Sequence, residues 1–293
     1  MAQSKKEIAA ILSGAGVRPR RRLGQNFMVD RNMVRAVVEA GEVRAGDAVI
    51  EVGCGTGTLT EELLARGAQV LAVEIDPALC AILRERLGNR TGVHIVEGDA
   101  LSRRQELHPE ISRFISAAHA RKQPAKLVAN LPYCIASPLI IDLLIEGTDL
   151  LVFTVQKEVA ERLTAAPGGA DYGLLSVLAQ LLAEVRVLRT IPPQVFWPAP
   201  QVDSALVRMV RNTRPAEVVR AAAEFLRQIF SSRRKTLRRA LVSAGYGADR
   251  VLAAAGLDGT VRAEGLAPET LLGLCRTASQ TAGEDPRPQR QLR

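Results

Sequence analysis

The chain has 293 residues, long enough for one large domain or for a domain with a small appendage, and 47% of them are hydrophobic, enough for a sizeable core. No apolar run reaches the length of about 18 residues that a membrane span needs. Four cysteines (Cys54, Cys80, Cys134, Cys275) without C-x-x-C spacing and only three histidines argue against a zinc site and a disulfide framework, and for reduced thiols in the cytoplasm.

The net charge of +8 is unevenly placed: residues 1 to 22 carry +5, residues 23 to 210 carry −4, and residues 211 to 293 carry +7. Basic ends around a slightly acidic middle suit a polyanion gripped at both ends while chemistry proceeds between them. Basic tails that only aid solubility are the alternative. Residues 1 to 22 form a basic arm with a short helix over Lys5 to Leu12, then Arg18-Pro19-Arg20-Arg21-Arg22. An acid-poor basic start also suits a transit peptide, but this arm runs straight into Leu23-Gly24-Gln25-Asn26-Phe27-Met28, a segment with functional character. Asp30 caps a helix from Arg31 to Ala40, which Gly41 ends.

Ala48 to Val52 reads as a buried strand, followed by Gly53-Cys54-Gly55-Thr56-Gly57 and a helix from Leu59 to Ala65. Strand, glycine turn and helix make half of a nucleotide-binding unit, in which glycines let a ligand approach the backbone. The dinucleotide fingerprint G-x-G-x-x-G would need glycine at Thr58, so the spacing fits a nucleoside with an amino-acid tail better than a pyrophosphate. Glu74 ends the next strand, Val70 to Glu74, where a carboxylate can take both ribose hydroxyls. Asp76-Pro77 starts a helix through Leu87, so Asp76 has a capping job. Val93 to Glu97 is a third strand, followed by Gly98-Asp99, and Asp99 can receive the amino group of an adenine.

Lys126 to Ala129 is a buried strand that ends in Asn130-Leu131-Pro132-Tyr133. These four residues suit the holding of a flat base by its amino group. The Asn130 side chain accepts one amine hydrogen, the carbonyl of Leu131 or Pro132 accepts the other, and Tyr133 offers a face for stacking. A strand followed by an ordinary Asn-x-Pro turn is the plain alternative.

Helices are expected at Ser137 to Ile145 and Gln156 to Ala165, strands at Leu150 to Val155, Val185 to Ile191 and Ala205 to Val210, and a helical face at Leu174, Leu175, Leu178, Leu181, Leu182 and Val185. Prolines 192, 193, 198 and 200 forbid a regular helix or central strand between the last two strands. They hold Phe196 and Trp197 on a stiff loop, where one ring can face a base opposite Tyr133. Beyond a linker at Arg211 to Pro215 all is helical. One helix, Ser231 to Ala244, carries Arg234, Lys235, Arg238 and Arg239 on one arc, which favours phosphate contact over pairing within the helix. The tail from Gly283 is expected to be disordered.

Together these segments resemble the S-adenosylmethionine-dependent rRNA adenine N6,N6-dimethyltransferases, in the branch acting on small-subunit rRNA. The resemblance rests on Leu23-Gly24-Gln25-Asn26-Phe27, Glu51-Val52-Gly53-x-Gly55-x-Gly57, Asn130-Leu131-Pro132-Tyr133, Gln156-Lys157-Glu158-Val159, Pro198-x-Pro200-x-Val202-Asp203-Ser204, Ser232-Arg233-Arg234-Lys235-Thr236-Leu237 and Arg262-Ala263-Glu264-x-Leu266. Gln201 departs from the pattern, where lysine is usual.

The resemblance implies an α/β, Rossmann-like class I methyltransferase domain, doubly wound, with a seven-stranded sheet whose seventh strand is antiparallel, and a small helical C-terminal domain. The boundaries expected are 1–22 for the arm, 23–210 for the methyltransferase domain, 211–280 for a helical RNA-binding domain and 281–293 for the tail. Cofactor contacts are implied at Asn26, Met28, Gly53, Glu74, Asp99 and Asn130, with Gly55 beside them. Asn130, Leu131, Pro132, Tyr133 and Phe196 are the expected base-holding residues. Arg20, Arg21, Arg22, Arg233, Arg234, Lys235, Arg238 and Arg239 are expected on RNA, with no metal. The implied substrate is a pair of adjacent adenosines in a hairpin near the 3′ end of small-subunit rRNA within a pre-ribosomal particle, dimethylated at N6 by a cytoplasmic monomer late in subunit maturation. A large-subunit methylase of the macrolide-resistance type shares the fold and the Asn-x-Pro-aromatic motif, but Arg233 to Thr236 and Val202-Asp203-Ser204 favour the small-subunit branch. A nucleic-acid-binding factor that kept the fold without the activity is a rival of another class, against which the intact glycines and Asn130 argue.

Overall fold

A computed structural model of the protein describes residues 3–102, 106–231 and 235–282, without the side chains of Arg21 and Ala282. Arg233, Arg234 and the tail from Gly283 therefore lie outside the described residues. Two compact units divide the chain, one of residues 1–161 with 183–212 and one of residues 162–182 with 213–293. This differs from the single boundary expected near residue 210, because the segment 162–182 groups with the C-terminal helices.

The first unit begins with α1 (Lys5–Gly14), β1 (Phe27–Met28), α2 (Arg31–Ala40), β2 (Ala48–Val52), α3 (Thr58–Ala65), β3 (Gln69–Glu74), α4 (Pro77–Leu87) and β4 (Val93–Glu97). It continues with α5 (Pro109–Ala120), β5 (Ala125–Asn130), α6 (Ala136–Glu146), β6 (Leu150–Gln156) and the first half of α7 (Lys157–Thr164), whose last residues fall in the second unit. After α8 (Leu174–Leu182) of the second unit, β7 (Ala183–Ile191), β8 (Phe196–Trp197) and β9 (Ser204–Arg211) complete it. Start signals in the sequence account for several of these helices. The Asp30 side chain accepts the Met33 N–H at the start of α2, and Asp76 accepts the Ala78 N–H at the start of α4 with Pro77 behind it.

The main sheet runs β4-β3-β2-β5-β6-β9-β7. The first five strands are parallel, and β9 runs antiparallel to both neighbours. This is the doubly wound, seven-stranded arrangement expected, with one reversed strand. Every residue of β2 is buried, Glu51 included, as in a strand covered on both faces. The strand order reverses between β2 and β5, and such a switch point opens a crevice at the carboxyl ends of the strands.

Three expectations shift. The apolar periodicity of 174–185 ends as helix at Leu182, and Val185 lies in β7. The proline-rich stretch makes a 3-10 turn, Pro193–Val195, and then β8, which pairs with β1 in a separate two-stranded ladder, Phe27 opposite Trp197 and Met28 opposite Phe196. The N-terminal segment is not a loose arm. Ile8 and Leu12 are buried and cluster with Phe27, Leu79 and Ile82. Burial of two such side chains contributes roughly 1.5–3 kcal/mol each.

In the second unit, α9 (Ala216–Phe230), α10 (Leu237–Ser243), α11 (Ala248–Ala255) and α12 (Pro268–Ala282) follow α8. Tyr172 is fully buried there, its hydroxyl donates to the Leu266 carbonyl, and its ring meets Phe230 edge-on. The helix expected from Ser231 begins at Leu237, where the Thr236 side chain accepts the Arg239 N–H. Threonine supplies the cap, and a cap fixes a start.

Candidate active site

One cavity lies at the carboxyl ends of β2, β3 and β5, lined among others by Asn26, Met28, Gly53, Gly55, Glu74, Asp99 and Asn130. The structure thus brings together all seven residues expected around a cofactor, from separate stretches of chain.

The Asn130 carboxamide is held from both ends. Its Nδ2 donates to the Asn26 carbonyl at 2.7 Å, and its Oδ1 accepts from the hydroxyl of Thr154, the residue beside it in the sheet. A carbonyl can only accept, so the Asn26 carbonyl decides which way the amide faces. Reversal would set two oxygens against each other and leave Nδ2 without that partner. The Oδ1, with one donor of its own in Thr154, keeps a lone pair for a further donor.

The two carbonyls considered for the second contact now separate. That of Pro132 accepts the Ile135 N–H at 3.3 Å, while that of Leu131 accepts none among the described residues. Of the expected base-holding residues, Asn130 and Pro132 line the cavity and Leu131 and Tyr133 do not; Tyr133 is half-buried and shares a 2.7 Å hydrogen bond with Ser204 at the start of β9. Burial raises its phenol pKa, so the ring stays neutral and anchored. Phe196 does not join them. Its ring is 2% exposed and sits in the core cluster with Met28, Val195 and Leu206. The pairing of β8 with β1 turns it inward, and it offers no free face. Trp197 is partly buried against the cluster around Ile8 and Phe27.

The glycine turn does more than admit a ligand. A Cβ on Gly53, at φ +77°, would come within 2.9 Å of Pro132, and one on Gly55, at φ +59°, within 2.9 Å of the Phe27 ring. These two glycines let the turn close against the base-holding segment on one side and β1 on the other. Glu74 binds the turn to its own strand end. One carboxylate oxygen accepts the Gly55 N–H at 2.9 Å and the other accepts the Asp76 N–H at 3.0 Å, with lone pairs left over for hydroxyls. Burial raises the pKa of Glu74, against these backbone hydrogen bonds. Glu51, 2% exposed and also in the lining, is pushed up to about 8 by burial, although it accepts the Thr60 hydroxyl at 2.6 Å.

Reasoning from the sequence missed how the N-terminal segment is tied down. The Gln3 amide donates to the Thr56 carbonyl at 3.1 Å and accepts the Thr56 hydroxyl at 2.7 Å. The fully buried Asp76 carboxylate takes Arg20 at 3.1 Å and Gln25 at 2.9 Å. Arg20, expected on RNA, thus answers a buried carboxylate instead. No local pattern announces pairs 51 to 56 residues apart. Arg22 and Lys235 are exposed, and so are Arg238 and Arg239, but Arg238 pairs with Asp249.

The family model for ribosomal RNA adenine dimethylase matches residues 16–279. The chain belongs to the ribosomal RNA adenine dimethylase family. Relatives agree with this. The chain is 41% identical to a ribosomal RNA small subunit methyltransferase A of Moorella thermoacetica, over 92% of this chain and 95% of that protein. It is 38% identical to a probable ribosomal RNA small subunit methyltransferase A of Methanopyrus kandleri, over 83% of this chain and 84% of that one. Among solved structures, the 23S rRNA methyltransferase ErmE superposes with a TM-score of 0.60 at 28% identity, covering 87% of this chain and all of that one. A dimethyladenosine transferase from Plasmodium falciparum superposes with a TM-score of 0.70 at 24% identity, covering 86% and 97%, and shows the same fold.

The methyl donor of the ribosomal RNA adenine dimethylase family is S-adenosylmethionine, and the cavity residues fit it. Acidic side chains, Glu74 and Asp99, line a space suited to a cationic nucleoside, and the glycine turn 53–57 leaves room for it to approach the backbone.

Proposed function

We propose that the protein transfers methyl groups from S-adenosylmethionine to N6 of two adjacent adenosines in a hairpin near the 3′ end of small-subunit rRNA. The observation that carries this reading is Asn130 in the cavity lining, its carboxamide oriented by the Asn26 carbonyl and the Thr154 hydroxyl.

Adenine N6 is a weak nucleophile because its lone pair is delocalised into the ring. The Asn130 Oδ1 accepts one N6 hydrogen and the Leu131 carbonyl the other, which favours a pyramidal amine. The donor supplies an electrophilic methyl on a sulfonium, which leaves as a neutral thioether. No protein acid is then needed, and the methylated amine is acidic enough to lose its proton without a strong base. Catalysis is alignment and electrostatics. The base must leave its stack at a cost of a few kcal/mol, and stacking on Tyr133 offsets roughly 1–3 kcal/mol of it. Glu74 would hold the ribose hydroxyls, Asp99 the cofactor's adenine, and Asn26, Met28, Gly53 and Gly55 the walls around it. Arg22, Lys235 and Arg239 would contact phosphates, with Arg21, Arg233 and Arg234 beside them in sequence.

The small-subunit assignment draws on the similarity to methyltransferases so named, at 41% identity against 28% for ErmE. The test offers unmethylated small subunits, unmethylated large subunits and labelled donor, digests the RNA and maps the product by mass spectrometry. N6,N6-dimethyladenosine at two neighbouring positions near the small-subunit 3′ end is expected. Label in large-subunit RNA alone would replace this reading with the macrolide-resistance one, and no label in either would leave a binding factor.

A further inference from the structure

The base-holding segment is fixed in its backbone and tethered at one side chain. Pro132 locks its own φ, and the chain there runs between two glycines. A Cβ on Gly53 would come within 2.9 Å of the Pro132 ring, and one on Gly24 within 3.6 Å of the Tyr133 nitrogen. The Tyr133 side chain is held differently. It is half-buried, it stacks on no other ring among the described residues, and its one side-chain hydrogen bond there is the 2.7 Å contact with Ser204. Two side-chain torsions thus depend on a single directional contact. Ser204 itself is fully buried, and its hydroxyl has no other partner among the described residues. It opens β9, opposite Gln156 at the end of β6 and Ile191 at the end of β7. The adjoining Asp203 carbonyl accepts the Lys157 N–H at 3.0 Å. A hydroxyl with a paired strand on either side gives the phenol a fixed point.

Asn130 is braced in the same way one strand nearer, its Oδ1 accepting from the Thr154 hydroxyl on β6. Strands β5, β6 and β9 are consecutive in the sheet, so successive strands each lend a hydroxyl to the segment that ends β5. We infer that Ser204 is a positioning residue for methyl transfer, its hydroxyl pinning the Tyr133 ring in the orientation that receives the acceptor adenine. This rests on the reading in which Tyr133 stacks on that base. A ring fixed in advance loses no rotamer freedom when the base arrives, and it holds the base at one angle to the methyl group. The inference also gives Val202-Asp203-Ser204 a task at the site, although none of the three lines the cavity. A serine that only satisfied a phenol would support the fold and leave the rate alone, and this separates the two roles by experiment.

The test is a double-mutant cycle on Ser204→Ala and Tyr133→Phe, read as single-turnover methyl transfer to saturating unmethylated small subunits. Each single variant should slow transfer roughly fivefold to tenfold, the worth of one hydrogen bond. The double variant should be no slower than either, because the same bond is already gone. Affinity for S-adenosylhomocysteine, measured by titration calorimetry, should match the wild type in all three. Ser204→Thr, which returns the hydroxyl, should recover most of the rate. Tyr133→Phe probes the same bond from the less buried side should Ser204→Ala fold poorly. A wild-type rate in Ser204→Ala with only a lowered melting temperature, or losses that multiply in the double variant, would overturn the assignment. Wild-type turnover in Tyr133→Ala, or no label in small subunits from the wild type, would instead remove the reading on which it rests.

Discussion

Replacing Glu51 by glutamine should make the protein more resistant to unfolding, and increasingly so as the pH rises. The Glu51 carboxyl is 2% exposed and titrates near 8 in the folded protein against an ordinary 4.5, chiefly because burial disfavours its charge. Between these two values the folded state holds a proton on Glu51 and the unfolded state does not. Unfolding then releases a proton, so stability falls with rising pH across this window by about 1.36 kcal/mol per unit, and levels off above pH 8. From pH 5 to pH 7 the loss is about 2.7 kcal/mol, a large part of a typical 5–15 kcal/mol total. Glutamine keeps an oxygen to accept the Thr60 hydroxyl and has nothing to ionise. The assay is urea unfolding of ligand-free wild type and Glu51→Gln at pH 5, 6, 7 and 8. Other titrating groups contribute nearly equally to both proteins and cancel in the difference, apart from the smaller coupling of Glu51 to the charge of Glu74. The variant should gain on the wild type by about 1–1.4 kcal/mol per pH unit up to pH 7. A difference that stays flat across these pH values would refute the buried, protonated state of Glu51.

Three further outcomes are expected. Asn130→Ala should abolish methyl transfer while S-adenosylhomocysteine affinity stays within a few-fold of wild type; near-normal turnover would discard the alignment mechanism. Gln3→Ala breaks two buried hydrogen bonds to Thr56. At about 1 kcal/mol each, amide exchange in α1 should accelerate by one order of magnitude or more, and unchanged protection would mean the pair does not hold the helix down. Removing Lys235 and Arg239 together should lower the slope of log affinity for RNA against log salt by roughly 0.7–0.9 for each phosphate no longer neutralised. Arg238→Ala should lower it less, because that guanidinium already answers Asp249. Equal slopes in all these proteins would return α10 to an ordinary solvated face.

Much of this architecture could be read in advance, and the reasons are local. Ala48-Val49-Ile50 and Val52, β-branched or small and interrupted only by Glu51, read as a covered strand, and Asp76-Pro77 reads as the start of a helix. Gly53, Gly55, Glu74, Asp99 and Asn130 were legible because each stands in the glycine turn or at or just beyond the end of a strand, whereas Asn26 and Met28 came only with the family resemblance. What escaped was set by distant partners. A two-residue strand such as Phe27–Met28 has no periodicity, so its ladder with Phe196–Trp197 left no trace in the sequence, and with it went the inward turn of the Phe196 ring. Arg20 looked like its neighbours in a basic run, and only the folded chain matches it with Asp76. The helix expected from Ser231 starts later, at Leu237, because Thr236 is a strong capping residue inside the expected span.

The bond between the Asn130 amide and the Asn26 carbonyl makes two regions of the chain interdependent. Asn26 belongs to the segment that walls the donor cavity, while Asn130 is the residue that would grasp the acceptor base. Displace that wall and the amide is free to rotate by half a turn, presenting hydrogens where an oxygen is wanted. On the proposed mechanism, adenine would be read correctly only while the cavity wall stands in place, a form of proofreading by architecture that needs no moving part beyond one side-chain amide.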